Sequence, residues 1–166
     1  MEVKIIPTGG LCNRLRAIAT GVAVAKKYHC PSVIYWNNSL GLKADYCELF
    51  KPIPQDDVKL IENKQWLYNI NGNKDYLVRW PLLKTMFEQT VFNFSIYRNG
   101  DEVYSKLKKS YSRSLLLISC YPMCTKYTIQ GMFIPQDDIQ RRIDEVVAGF
   151  SERTIGVHIR RTDNVV

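Results

Sequence analysis

The sequence lacks the features that mark membrane-spanning, secreted and nucleic-acid-binding proteins. It contains no run of about 18 apolar residues, the length that a membrane-spanning helix needs. It opens on a charged, strand-like stretch, residues 1–7, instead of a basic segment followed by an apolar one, so no secretory signal is predicted. No helix-turn-helix, zinc-finger or RNA-recognition signature is present. No transmembrane segment and no nucleic-acid partner are therefore expected.

The use of cysteine argues against a disulfide framework or a zinc site. The five cysteines are an odd number and include no Cys-x-x-Cys pair. We therefore expect reduced thiols that fill packing positions in a cytoplasmic protein. Cys12, which lies in a candidate site loop, is the thiol to test for reactivity.

A nicotinamide-binding fingerprint is missing as well. Gly9 and Gly10 follow the first predicted strand, but the order G-x-G-x-x-G does not occur there. The second predicted strand ends in Asn37 and Asn38 rather than in the acidic residue that holds a ribose. No pair of carboxylates at a recognisable spacing marks a general base. The sequence thus disfavours a dehydrogenase and leaves acid–base chemistry unassigned.

Length and charge indicate a basic domain with a core. The chain has 166 residues, 46% of them hydrophobic, which is enough for one domain that buries its own core. With 23 Lys and Arg against 16 Asp and Glu, the formal net charge is +7. A basic surface attracts anions, which include nucleic acid, phosphorylated small molecules and an anionic membrane in peripheral contact. Charge alone does not choose among them.

The periodicity of the chain predicts an α/β domain. Apolar runs predict strands at Val3–Pro7, Ser32–Trp36 and Leu115–Ser119. Helices are predicted from Asn13 (as the N-cap) to about His29, within 44–50, over 102–112 and from Pro135 onward. The order strand–helix–strand, which occurs twice, predicts a single Rossmann-like domain over 1–166. Its sheet is expected to be mainly parallel, with helices on both faces.

The turn after the first strand is a candidate anion site. A helix that begins after a strand and a glycine turn offers backbone N–H groups to an anion, and Gly9, Gly10 and Asn13 lie at this point. Arg14 and Arg16 add cations where the helix dipole is positive, so either an anion or acidic neighbours should offset them. In the alternative, the glycines only form the turn and both arginines lie flat on the surface.

A second basic group stands near the end of the sequence. Residues 154–160 alternate as in a strand, which places His158 and Arg160 on one face. Arg160 and Arg161 form a candidate clamp, because guanidinium groups match the geometry of phosphate oxygens. In the alternative, both are solvated or paired with Asp163. If the first and last strands are neighbours, Asn13 and Arg160 converge on one anion.

Two motifs make the chain similar to a known family. The pattern His-x-Arg-Arg-x-Asp at 158–163 resembles the donor-phosphate motif of the α1,2-, α1,6- and protein-O-fucosyltransferase superfamily. The segment 9–15 resembles the N-terminal signature of the same superfamily, in which a Gly-x-x-Asn turn opens the first helix. Cys12 departs from that pattern, because many relatives have glycine there.

The resemblance implies a GT-B glycosyltransferase that transfers fucose from GDP-fucose to a glycan acceptor, with no metal ion and no cofactor. On this basis we expect Arg160 to stabilise the charge on the leaving phosphate, with Arg161 supporting it. Asn13 is expected beside the phosphates at the glycine turn, and His158 near the nucleotide. Asp163 is expected to orient an arginine.

In the resembled family the His-x-Arg-Arg motif lies at the junction of two halves. The chain is therefore expected to be the N-terminal, acceptor-side half, without a donor-binding half, and to have little activity alone. The competing interpretation is a non-enzymatic basic domain that binds a phosphorylated ligand or nucleic acid.

Overall fold

The computed structural model describes residues 2–38, 41–62, 73–87, 89–92, 114–122 and 131–157. Within them lie five strands: β1 (Val3–Pro7), β2 (Ser32–Trp36), β3 (Val58–Glu62), β4 (Gln89–Phe92) and β5 (Leu115–Ser119). The helices are α1 (Leu11–Lys27), α2 (Tyr46–Leu49), α3 (Asn73–Met86) and α4 (Asp137–Val147). The helix predicted over 102–112 lies outside the described residues.

The five strands form one sheet in the order β3-β2-β1-β5-β4, and every neighbouring pair is parallel. Three of the four strands that the sequence predicts, β1, β2 and β5, form the centre of this sheet with the predicted bounds. Their side chains are buried almost throughout, as expected for strands of a parallel sheet that is covered on both faces. The α/β prediction is therefore confirmed.

Helices cover both faces of the sheet. On one face, Ile18 and Val22 of α1 pack against Val3 and Ile5 of β1 in the larger core cluster. On the other face, a smaller cluster joins Leu83 of α3 to the opposite sides of β1, β2 and β5. Alternate side chains of each strand point to opposite faces, so a single apolar run supplies both clusters.

Helix α1 begins three residues earlier than predicted. Gly10, in an extended conformation, is the N-cap, and its carbonyl accepts the first helical hydrogen bond from the N–H of Arg14 at 3.1 Å. Asn13 is therefore the third residue of the helix and not its N-cap, so that prediction is wrong. The preference of asparagine for the cap position was outweighed by the glycine turn, whose extended Gly10 already leads the chain into the helix.

The predicted strand at 154–160 is not formed in its described part, residues 154–157. Ile155 and Val157 are 84% and 78% exposed. Alternation alone does not make a strand, because a strand needs a hydrogen-bonding neighbour. Both sides of β1 are already occupied, by β2 and β5. The condition under which Asn13 and Arg160 were expected to converge, that the first and last strands are neighbours, is therefore not met.

Helix α4 forms as predicted, but its apolar side is not in the core. None of its residues is buried, and its apolar side chains are half-buried or exposed: Ile139, Ile143, Val146 and Val147, with Phe150 beyond the helix end. The helix is joined to the domain near its start, where the side-chain amide of Gln136 donates to the carbonyls of Cys47 and Phe50 at 2.7 and 3.0 Å.

No helix among the described residues is long and apolar enough to cross a membrane.

Helix α1 packs closely on β1 at Gly21. A Cβ atom at this position would lie 2.3 Å from Cδ1 of Ile5. We predict that Gly21→Ala lowers the free energy of unfolding by about 1–2 kcal/mol, because forced repacking outweighs the gain in helix propensity. Urea unfolding measures the change. The control is Gly156→Ala, where an added Cβ meets nothing within 4 Å. Unchanged or increased stability of Gly21→Ala would contradict this packing.

Candidate functional site

The candidate site lies at the carboxyl edge of the sheet, where β1 and β5 end side by side. Pro7 is paired with Ser119, and one residue further the N–H of Thr8 donates to the carbonyl of Ser119 at 2.8 Å. The strand on one side of β1 is β2, which follows it directly in the sequence, whereas the strand on the other side is β5, the last of the described strands. In open parallel sheets, ligands bind in the crevice beyond such a change in strand order.

The glycine turn at this edge is closely packed. Gly9 has φ +81, a conformation that glycine adopts without steric cost. A Cβ on Gly9 would lie 3.2 Å from Cβ of Cys120, after β5, and 3.5 Å from Nδ2 of Asn13. On the β2 side, a Cβ on Gly41 would lie 3.2 Å from the carbonyl carbon and oxygen of Gly9. Three loops therefore meet around a single glycine.

The start of α1 opens onto this edge and suits an anion. The first backbone N–H groups of any α-helix have no partner within the helix. No side chain caps α1, and its first turn contains no acidic residue. Asn13 is half-buried beside Gly9, and Cys12 is exposed. Cys12 lies within the helix, so the position where many relatives have glycine requires no positive φ here.

Arg14 is buried, with only 1% of its surface exposed. The alternative in which Arg14 lies flat on the surface is therefore wrong. Its Nε donates to the carbonyl of Gly9 at 2.8 Å, and its Nη1 donates to the carbonyl of Asn37. The guanidinium carbon lies 5.1 Å from the ring centroid of Trp36, a cation–π arrangement. Burial lowers the pKa of Arg14 to about 10, so the group is still charged at neutral pH. Arg16 is exposed.

Cys120 adds a thiol to the same edge. It is half-buried, and this burial raises the pKa of its thiol, which disfavours a reactive thiolate. The turn that follows is closed by Ser119, whose hydroxyl accepts the N–H of Tyr121 at 2.8 Å. The described cysteines that are not in disulfides are Cys12, Cys30, Cys47 and Cys120.

The structure brings Gly9, Gly10 and Asn13 together at the carboxyl edge. The other predicted site residues, His158, Arg160, Arg161 and Asp163, lie outside the described residues. Sequence reasoning missed the burial of Arg14 and the contact of Gly41 with the turn. Within the described ranges, no group of three or more His, Cys, Asp or Glu side chains could hold a metal ion.

Comparison with solved structures identifies the kind of fold. The α/β chain matches fucosyltransferases of the GT-B class. One match is NodZ α1,6-fucosyltransferase co-crystallised with GDP, with a TM-score of 0.54 and 16% identity. The same enzyme soaked with GDP-fucose matches with a TM-score of 0.53 and 16% identity. The fucosyltransferase NodZ from Bradyrhizobium matches with a TM-score of 0.55 and 15% identity. Each match covers 89% of this chain.

The chain spans about half the length of the solved structures that it matches, since it covers 54% or 55% of theirs. No protein-family model matches the chain. No curated protein matches it by sequence. At this level of identity the likeness shows a fucosyltransferase-like fold, and the chemistry must be argued from residues.

The glycine turn can be tested with a matched pair of variants. Gly9 and Gly131 both have positive φ, +81 and +75, but an added Cβ meets nothing within 4 Å at Gly131. We predict that Gly131→Ala costs about 1 kcal/mol of unfolding free energy, from backbone strain alone. Gly9→Ala should cost at least about 1 kcal/mol more, because Cys120 crowds the new methyl group. Equal losses in denaturant unfolding would contradict the close packing of the three loops.

Proposed function

We propose that this chain is part of a metal-independent glycosyltransferase that transfers fucose from GDP-fucose to a glycan acceptor. The observation that carries the proposal is the match over 89% of the chain to an enzyme that was co-crystallised with GDP and, in another structure, soaked with GDP-fucose. It is supported by the glycine turn and the uncapped start of α1 at the carboxyl edge of the sheet.

The mechanism follows from where charge develops. Transfer of a sugar from a nucleoside diphosphate leaves negative charge on the β-phosphate and positive character on the sugar. Groups that are already oriented toward such charge stabilise the transition state without reorganisation. The first N–H groups of α1 and the amide of Asn13 suit the phosphates. Together they form one wall of the proposed donor site.

Arg160 is proposed as the group that stabilises the leaving β-phosphate, in place of a metal ion. A guanidinium stays charged at neutral pH and presents a fork of donors to phosphate oxygens. Arg161 supports it or is structural, His158 lies near the nucleotide, and Asp163 orients an arginine. Because β1 has neighbours on both sides, this proposal does not require Arg160 to lie in a strand paired with β1.

Binding of nucleotides tests the donor site directly. We predict that this one wall is enough for GDP to bind to the chain in the presence of EDTA and to shift the amide resonances of Gly9, Gly10 and Asn13. Asn13→Ala should weaken GDP binding by about 5- to 10-fold, the typical effect of one lost hydrogen bond. Calorimetry and NMR titration measure both effects. Binding of a random oligonucleotide that falls steeply with salt, without a GDP signal, would instead support a nucleic-acid-binding domain.

The proposed role of Arg160 can be tested by comparing the binding of GDP with that of GMP, which lacks the β-phosphate. Arg160→Lys should weaken GDP binding by about 10-fold through loss of a charge-assisted, two-pronged contact, and should leave GMP binding unchanged. Arg153→Lys, a conservative change at an exposed arginine, is the control. An equal loss for both nucleotides would refute contact with the β-phosphate.

The 166-residue chain alone is expected to turn over little GDP-fucose, and rapid turnover would contradict the half-enzyme proposal.

A further inference from the structure

Arg14 is a buried cation that the proposed mechanism does not use. It lies in the first turn of α1, directly behind the glycine turn, and is 1% exposed. Two of its N–H groups donate to carbonyls that belong to different loops, Nε to Gly9 after β1 and Nη1 to Asn37 after β2. The face of Trp36, the last residue of β2, supports the guanidinium plane. Arg14 thus ties together two of the loops at the carboxyl edge.

The direction of the Gly9 carbonyl decides the direction of the next amide. In a planar trans peptide, the C=O of one residue and the N–H of the following residue point in opposite directions. The Gly9 carbonyl points to the buried guanidinium, so the N–H of Gly10 points away from it. Gly10 immediately precedes the N–H groups that open α1. Arg14 therefore sets the direction of the Gly10 N–H, which adds one more donor to the N–H groups at the start of α1.

A second contact holds the same peptide from another side. Gly41 approaches the carbonyl carbon and oxygen of Gly9 so closely that a Cβ on Gly41 would lie 3.2 Å from both. The Gly9 peptide therefore accepts a hydrogen bond from Arg14 and is also closely approached by the backbone at Gly41. Because Gly9 has no side chain, both contacts act directly on its backbone.

We propose that Arg14 is a positioning residue for anion binding: it holds the glycine turn with the Gly10 N–H toward the ligand, and so sets the affinity for the phosphates of a nucleoside diphosphate. The identity of that ligand rests on the proposed function, whereas the hold on the turn does not. Lysine has a single charged nitrogen and no planar fork, and the glutamine amide offers donors from one nitrogen only. Neither side chain can reproduce both contacts and the stacking on Trp36.

The test compares Arg14→Lys and Arg14→Gln with Arg16→Lys and Arg16→Gln. Arg16 lies on the same helix but is exposed, so its variants change charge equally without touching the turn. Residual dipolar couplings report the orientation of the Gly10 N–H, and calorimetry reports GDP affinity well below the melting temperature. We expect both Arg14 variants to reorient Gly10 while β1 and β5 keep their couplings. GDP binding should weaken by about 10- to 100-fold for Arg14→Gln and less for Arg14→Lys.

The outcomes separate the two proposals. Folded Arg14 variants with native Gly10 couplings and native GDP affinity would overturn the positioning role, as would losses of equal size in the Arg16 variants. A lower melting temperature with unchanged affinity would show a merely structural role and would also overturn it. If the wild-type chain binds no GDP, the proposed function and the ligand part of this inference fail together. The couplings then still decide whether Arg14 holds the turn.

If neither Arg14 variant folds, the positioning role is tested on the wild-type chain. The Nε–H of Arg14 should then give a slowly exchanging resonance at neutral pH, and GDP should shift the Gly10 amide. Absence of either signal would overturn the proposal.

Discussion

The parallel pairing of β1 with β5 is the constraint on which the candidate site depends. These strands are more than a hundred residues apart in sequence, yet they pair from Val3 with Leu115 to Pro7 with Ser119. This pairing brings the glycine turn beside Cys120, and the neighbouring pairing with β2 brings Asn37 within reach of Arg14. Helix α1 packs on the same strands and so directs its uncapped first turn at the edge where the loops meet.

Among the five described strands, the sequence predicted the three central ones, which are buried, and missed the two at the edges of the sheet. Runs such as Leu115–Ser119 are apolar on both faces, so their pattern is simple. Strands β3 and β4 lie at the edges of the sheet, and β3 keeps lysine and glutamate among its five residues. Helix α3 contains Pro81 and exposes apolar side chains as well as burying them, so no single face stands out. Residues 154–157 show the opposite error, in which alternation without a neighbouring strand forms no strand.

The candidate site also contains features that the sequence predicted and features that it did not. The motif predicted that Gly9, Gly10 and Asn13 would lie together, because a turn is a local structure that its own residues determine. The contact of Arg14 with Asn37 and the approach of Gly41 to Gly9 depend on how β2 is placed, which no local pattern contains. A cation in the first turn of a helix reads as a surface or ligand-binding group, since burial of a charge is costly. Here carbonyl oxygens and an indole face compensate part of that cost.

Helix α4 has a consequence for how the molecule unfolds. A helix of this length gains little from its own hydrogen bonds in water and is normally stabilised by packing of its apolar side. In α4 no residue is buried, and the ties to the domain are near its start, including the ion pair of Lys51 with Asp137 at 2.6 Å. Its hydrogen bonds therefore open independently of the sheet, with a much smaller free energy. On heating, helical ellipticity will begin to fall while the aromatic signals of Trp36 and Tyr46 still report an intact core.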